Sequence, residues 1–461
     1  MAYINEKASK INHQYIIENQ KIKDYLLLCD RIESHIPLEV DSNNARVELN
    51  AIIDKIQTHI ERVITVDGGY QEISVNDKFP SQKLCYYSVG IITFSIKDLE
   101  ELEETQTINP DDIGKLENLE RFTFVVPMQN IRLKEKDFTT TIQETLFEVF
   151  RDNSLSGDSN NSKDSLINTI KWLVFKEYLD SNGSISFACP KCQTMQTFTK
   201  QTSNYKDEKN NFCKCEKCDN IIYITDCFDL HTLVDEINGA TLIESYIMSV
   251  FEIVLMLSVF RFFFENNATQ WLTKILFIKD GPLALFSRLD DFAFKVVRPF
   301  MQFLYEKSLQ DNKSYANVVG LDKSGMFVEH FANIEDKIPQ ESITLPNLDY
   351  MRKYITGNNE SVFGQNTYFG IKMFVKKDKN LSFILDVSVP FGEETHYKDY
   401  IKNPSIHDFL SLAAILRILF KLKCDLYAKS FIPIAMINKL VSLSNTPSKK
   451  ILTIFSKDMM S

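Results

Sequence analysis

Three features of the sequence predict a mixed α/β fold carrying a small inserted metal-binding unit. Runs rich in β-branched and aromatic residues, VITVDGGYQEISV (63–75), YYSVGIITFSI (86–96) and RFTFVVP (121–127), read as strands. Segments with apolar residues every three or four positions, such as TTTIQETLFEVFRD (139–152) and SLINTIKWLVFKEYL (165–179), read as helices between them. A cysteine-rich block over 186–226 interrupts both patterns.

Taken in order, residues 1 to about 62 carry helical periodicity in YIIENQKIKDYLLLCDRIESHI and ARVELNAIIDKIQTHIERV, parted by Pro37 and DSNN. The three strands follow, then the helix from 139. DNSLSGDSNNSKD (152–164) is a polar surface loop. Beyond the cysteines comes a long helix over about 240–266. A buried strand ILFI enters Lys279-Asp280-Gly281-Pro282, and helix continues to about 308. ANVVGLDKSG, TYFGIKMFVKK and LSFILDVSV are further strands. IHDFLSLAAILRILFKL and FIPIAMINKLVSL are the closing helices.

The composition bounds the function. Hydrophobic residues at 44% and charged residues at 25% of 461 exclude a disordered or fibrous chain, and the length corresponds to about three domains. A net charge of −10 means that nucleic acid can be gripped only through a local basic surface or a bound metal. The start, MAYINEKASKINHQ, is polar and unlike a signal peptide. The longest apolar stretch, Ile247 to Phe264, includes Glu252 and Arg261, which predicts a buried helix and no membrane span. Nine cysteines, five of them within 189–218, fit a reducing cytoplasm with one metal site better than a disulfide framework.

Cys189-Pro-Lys-Cys192 and Cys215-Glu-Lys-Cys218 are two CxxC knuckles separated by 22 residues. Each turn aims two thiolates at one point, and four thiolates form the closed tetrahedral set of a structural Zn²⁺ site. Cys213 is either a fifth free thiol or a rival to Cys215.

Three carboxylates occupy unusual places. VITV runs into Asp67-Gly68-Gly69, and ILFI into Lys279-Asp280-Gly281-Pro282, so each aspartate is read as leaving the end of a buried strand. Asp67 alone also reads as a hairpin turn with QEISV returning, since Asp-Gly is a common hairpin signal. Glu252 lies in an apolar helix, where Arg261 falls about 180° away and cannot neutralise it. A buried carboxylate needs a partner from another segment, either a Lys or Arg or a metal ion. Asp67, Glu252 and Asp280 together are hard oxygen donors suited to Mg²⁺ or Mn²⁺, and such a set can hold two ions for phosphodiester cleavage.

On VDGGYQEISV, IKDGPLALF and the helix glutamate between them, the chain resembles the NurA family of DNA nucleases, partners of HerA-type hexameric translocases. The resemblance continues through VVGLDKSGMF, TYFGIKMFVKK and SFIPIAMINKLVSL, over roughly 60–445, and IYITDCFDLH is similar to bacterial members that carry a zinc ribbon. It implies an RNase H-like nuclease core, Mn²⁺- or Mg²⁺-dependent DNA cleavage that is typically exonucleolytic, and a homodimer docked on a HerA-like hexameric ATPase. It carries the family's acidic motifs onto Asp67, Asp280 and Glu252, with Glu244 and Glu265 as rivals for the helix position. The family's last motif ends in a histidine, where this chain has Ile437-Asn438. Asn can offer an oxygen or a hydrogen bond but cannot act as general acid or base. Tyr427 is the nearest match to a family tyrosine.

Lys323, between a strand and a glycine, is placed to reach a phosphate, and Lys279 stands beside Asp280; for both, a solvated surface lysine is the favoured reading. Residues 411–461 carry Arg417, Lys421, Lys423, Lys429, Lys439, Lys449, Lys450 and Lys457 against Asp425 and Asp458, either a track for DNA backbone or a solvated helix face. The expected layout is a helical segment (1–60), a nuclease core in two parts (61–185 and 229–461) and a zinc ribbon (186–228). The expected function is metal-dependent DNA hydrolysis in end processing, repair or defence against foreign DNA. Asp67, Glu252 and Asp280 would hold the metals, with Asn438 and Lys323 near the phosphate. The alternative is an inactive subunit that clamps DNA for a translocase.

Overall fold

The computed structural model describes residues 10–29, 45–98, 118–156, 162–179, 183–200, 212–286, 289, 291–357, 362–388, 397–424, 430–444 and 446–460. Among these residues, nine strands form one mixed sheet. They are β1 (Ala45–Glu48), β2 (Arg62–Ser74), β3 (Lys83–Ser95), β4 (Asn118–Gln129), β9 (Ile275–Asp280), β10 (Val318–Asp322), β11 (Ser342–Leu345), β12 (Gly370–Lys376) and β13 (Ser382–Ser388). The intervening strands β5 (Ser184–Ala188), β6 (Met195–Thr199), β7 (Phe212–Lys214) and β8 (Ile221–Tyr223) make two small hairpins apart from it.

The spatial order is β1-β11-β12-β13-β10-β9-β2-β3-β4. Within it, β4, β3 and β2 are antiparallel neighbours, and β9 and β10 then add in parallel. Numbered along the chain this is the 3-2-1-4-5 order of an RNase H-like core, extended beyond β10 by an antiparallel sheet.

Helices cover both faces. They are α1 (Lys10–Glu18), α2 (Gln20–Leu28), α3 (Phe138–Asp152), α4 (Leu166–Val174), α5 (Glu244–Glu265), α6 (Arg298–Asp311), α7 (Met326–Ile334), α8 (Leu348–Met351), α9 (Tyr397–Lys402), α10 (Leu412–Lys421), α11 (Ile432–Val441) and α12 (Ser448–Met460). Strand alternation sorts the two cores. Ile64, Val66 and Phe277 pack with α3, α4, α5 and α6, whereas Val63, Leu276 and Ile278 pack with α7, α10 and α11. Helix α5 is long and apolar enough to cross a membrane, yet 78% of its most apolar window is buried within the fold, as the embedded Glu252 predicts.

The second N-terminal helix expected from the sequence is absent. Ala45–Glu48 is instead an edge strand on β11, followed by a single 3₁₀ turn at Leu49–Ala51. Tertiary partners decide this. The edge of β11 supplies a ladder, Ile60 is buried in the core that includes α10, Ile56 is buried as well, and Asp54 accepts the Ala413 amide at 2.8 Å to cap that helix.

Candidate active site and metal centre

The two aspartates meet because the strands bearing them are in parallel register. Val66 of β2 is aligned with Lys279 of β9, so the next residues, Asp67 and Asp280, lie side by side. Alternation turns both toward the face covered by α11.

Asp67 is not at a strand end. β2 runs through it unbroken and pairs Asp67 with Gly90, Gly68 with Val89 and Gly69 with Ser88. The glycines make room for helices. A Cβ on Gly68 would lie 2.2 Å from Met248 Sδ of α5, and one on Gly69 would lie 2.9 Å from the Val441 carbonyl oxygen of α11. The sheet narrows here because β9, not β2, ends: Gly281 follows Asp280 with φ +94°, a conformation that favours glycine.

Asp280 accepts hydrogen bonds from Lys323 Nζ (2.6 Å) and from Asn438 Nδ2 of α11 (3.0 Å), both at Oδ2. Glu252 approaches from the α5 face. It lies 3.1 Å from Lys279 Nζ, which also donates to the Asp280 carbonyl. Lys279 is therefore not a solvated lysine; it is as buried as Glu252. Alternation was the available signal, because a residue one before Asp280 must face the opposite helix layer.

The structure thus brings Asp67, Asp280, Lys323 and Asn438 together on one face at this end of the sheet, with Glu252 at the same end but on the opposite face beside Lys279; among the described residues the three carboxylates are not a group whose ligand atoms all lie within 4.8 Å of one another. Of the rival glutamates, Glu244 sits beside Glu72, and Glu265 lies 3.7 Å from Arg261 at the other end of α5, about 20 Å from Glu252 by helix rise. Tyr427 lies outside the described residues.

Burial, then the nearby Asp280 and Glu252 charges, push the Asp67 carboxyl up to about 8. Among the described residues, the buried Asp67 Oδ2 has no hydrogen-bond partner. Glu252 is raised by burial, an effect the Lys279 ammonium offsets in part. For Lys279 burial opposes the charge, but Glu252 and the two aspartates outweigh it and raise its pKa. Three carboxylates against two ammonium groups, with one buried oxygen unpartnered, make an oxygen-rich site short of positive charge. That donor set fits a hard divalent cation.

The four cysteines converge more closely. Among the described residues, Cys189, Cys192, Cys215 and Cys218 are the group whose ligand atoms all lie within 4.8 Å of one another. Cys189 and Cys218 sulfurs are 3.7 Å apart, and those of Cys192 and Cys215 3.6 Å. The knuckles are alike. Each starts at the end of a hairpin strand, and the residue after its second cysteine, Gln193 or Asp219, has positive φ and returns its amide to the first cysteine's carbonyl. Cys213 lies outside the group, buried in β7.

The basic C-terminal stretch is partly spent on acids: Arg417 pairs with Asp54 and Lys457 with Asp77.

Comparison with known proteins places these features in context. The NurA domain family model matches residues 61–443, well over half of the chain. Among solved structures, the chain is similar to the crystal structure of the NurA nuclease from Sulfolobus solfataricus, at 9% identity and TM-score 0.31, covering 98% of each chain. No curated protein matches.

Proposed function

The chain belongs to the NurA family of nucleases, and from that premise we propose that it hydrolyses DNA phosphodiester bonds with Mn²⁺ or Mg²⁺ at Asp67, Glu252 and Asp280. The observation that carries this reading is the adjacent placement of Asp67 and Asp280, with a buried Asp67 oxygen that has no partner among the described residues. A divalent cation bound there supplies the positive charge that polarises a phosphate and acidifies water.

The chain's own groups do the rest. Lys279 neutralises Glu252 and ties it to the Asp280 backbone, so the helix carboxylate is oriented before any ligand arrives. Lys323 has its side chain 44% exposed and can swing from Asp280 to a DNA phosphate once Asp280 is otherwise neutralised. Asn438 fixes the Asp280 carboxylate through its side-chain amide.

In this reading the cysteine group holds a structural Zn²⁺, which locks the two hairpins together. The chain acts as a homodimer on a HerA-like hexameric ATPase. An acidic chain with only local basic surface binds DNA weakly by itself, and a ring that threads duplex toward the site supplies a high effective concentration.

One observation favours a second reading. Asn438 stands where the family has a histidine, and its amide is spent on Asp280, so it supplies no acid or base. An inactive DNA-clamping subunit would look the same. The experiment is to purify the chain with its candidate translocase and follow DNA degradation with Mn²⁺ and ATP, for the wild type and for Asp67→Asn and Asp280→Asn. The nuclease reading expects cleavage by the wild-type complex and loss in both variants. DNA binding without cleavage by the wild type supports the clamp.

A further inference from the structure

Beneath the site lies a second set of charges that no step above uses. Lys372 of β12 is aligned across the sheet with Asp386 of β13, and its Nζ donates to both Asp386 oxygens, at 3.0 and 3.2 Å. The same ammonium donates to Asp322 Oδ2 at the end of β10. Its side chain is only 2% exposed and that of Asp386 0%. The rings of Tyr368 and Phe327 lie 4.8 and 5.2 Å from the ammonium.

Three buried charges are a poor way to stabilise a fold. Apolar residues of like volume often pack as well or better, whereas removing one partner is costly. What these charges do is hold two pieces of backbone. Asp386 Oδ2 accepts the amide of Leu283 at 3.0 Å, a residue with no exposed surface. That bond pins the segment running from Asp280 through Gly281 and Pro282 across the sheet.

The crossing is close. A Cβ on Gly320 would lie 2.5 Å from the Gly281 oxygen, and one on Gly370 would lie 2.8 Å from Leu283 Cβ. Asp322, held by Lys372, is the residue before Lys323, whose ammonium bonds Asp280.

We propose that Lys372, Asp386 and Asp322 are positioning residues: one buried ammonium ties together the Asp280–Leu283 segment and the end of β10, and so sets where the Asp280 carboxylate and Lys323 meet. The proposal rests on the reading of Asp280 as a cation ligand. Groups behind metal ligands commonly alter affinity or activity by about 10- to 100-fold when changed.

The test uses full-length Asp386→Asn and Asp322→Asn, with folding checked by circular dichroism. Mn²⁺ affinity is measured by calorimetry, and kcat and KM for DNA are measured in the translocase complex. Asp386→Asn keeps an acceptor for Leu283 but leaves Lys372 short of one charge. We expect its Mn²⁺ affinity and kcat to fall about tenfold or more, KM for DNA to stay within about twofold, and excess Mn²⁺ to restore much of kcat. Asp322→Asn should show the same pattern more weakly, and it carries the test if Asp386→Asn does not fold.

Folded variants with wild-type Mn²⁺ affinity and kcat overturn the proposal. A wild type that binds Mn²⁺ but cleaves nothing, with binding weakened in the variants, supports the positioning role and removes the nuclease reading. A wild type that binds no Mn²⁺ overturns both.

Discussion

The Lys279 ammonium lies 3.1 Å from the Glu252 carboxylate, and both side chains are only 8% exposed. Glu252 is therefore held in place by the residue immediately before Asp280. One strand end thus presents an aspartate to one face of the sheet and a counter-ion to the other. The pair makes Glu252 tolerable in an apolar helix without a bound cation.

Lys279→Met should accordingly destabilise the protein by about 3–5 kcal/mol, because it leaves Glu252 buried and unpaired. Adding Glu252→Gln should return a large part of that loss. Urea unfolding of the single and double variants measures both.

The Asp67 carboxyl, raised to about 8 chiefly by burial, gives a pH dependence with a definite sign. The folded state holds this proton more tightly than the unfolded chain, so its contribution is full below about 4 and is lost as pH rises through about 8. Thermal melts in chelator should show Tm falling over that window. Mn²⁺ favours the charged carboxylate, so its stabilising shift should be larger at pH 8 than at pH 6 and should shrink in Asp67→Asn.

The cysteine group predicts a selective loss. Elemental analysis should find one equivalent of zinc in the wild type, none in Cys189→Ser or Cys215→Ser, and one in Cys213→Ser, because only the first two cysteines lie within the converging group. Equal zinc in all three variants would remove the assignment.

Gly69→Ala tests how tightly α11 is seated. The new Cβ would meet the Val441 backbone oxygen at 2.9 Å, which a side-chain rotation cannot relieve. We expect a loss of about 1–3 kcal/mol in chemical unfolding and weaker Mn²⁺ binding, since Asn438 rides on the same helix.

Much of this was legible in the sequence. The two CxxC pairs carry their geometry in their spacing, and the buried glutamate of α5 announces itself by the apolar residues around it. Asp67 was misplaced because Asp-Gly-Gly is local turn chemistry, and the helices that require those glycines are distant in the chain, at Met248 and Val441. The sequence leaves Lys279 reading as solvated for a related reason: its burial depends on which helix covers its face of β9. The helix expected from 45 to 63 was lost to an edge on β11 nearly 300 residues away, a contact that periodicity does not reveal.

The central claim is that Asp67 and Asp280 share a divalent cation, and anomalous scattering from crystals soaked in Mn²⁺ tests it most directly. The account predicts a peak within about 2.6 Å of carboxylate oxygens of both residues, absent in Asp67→Asn. Manganese bound elsewhere with these two carboxylates left bare, or a peak unchanged in Asp67→Asn, would contradict it.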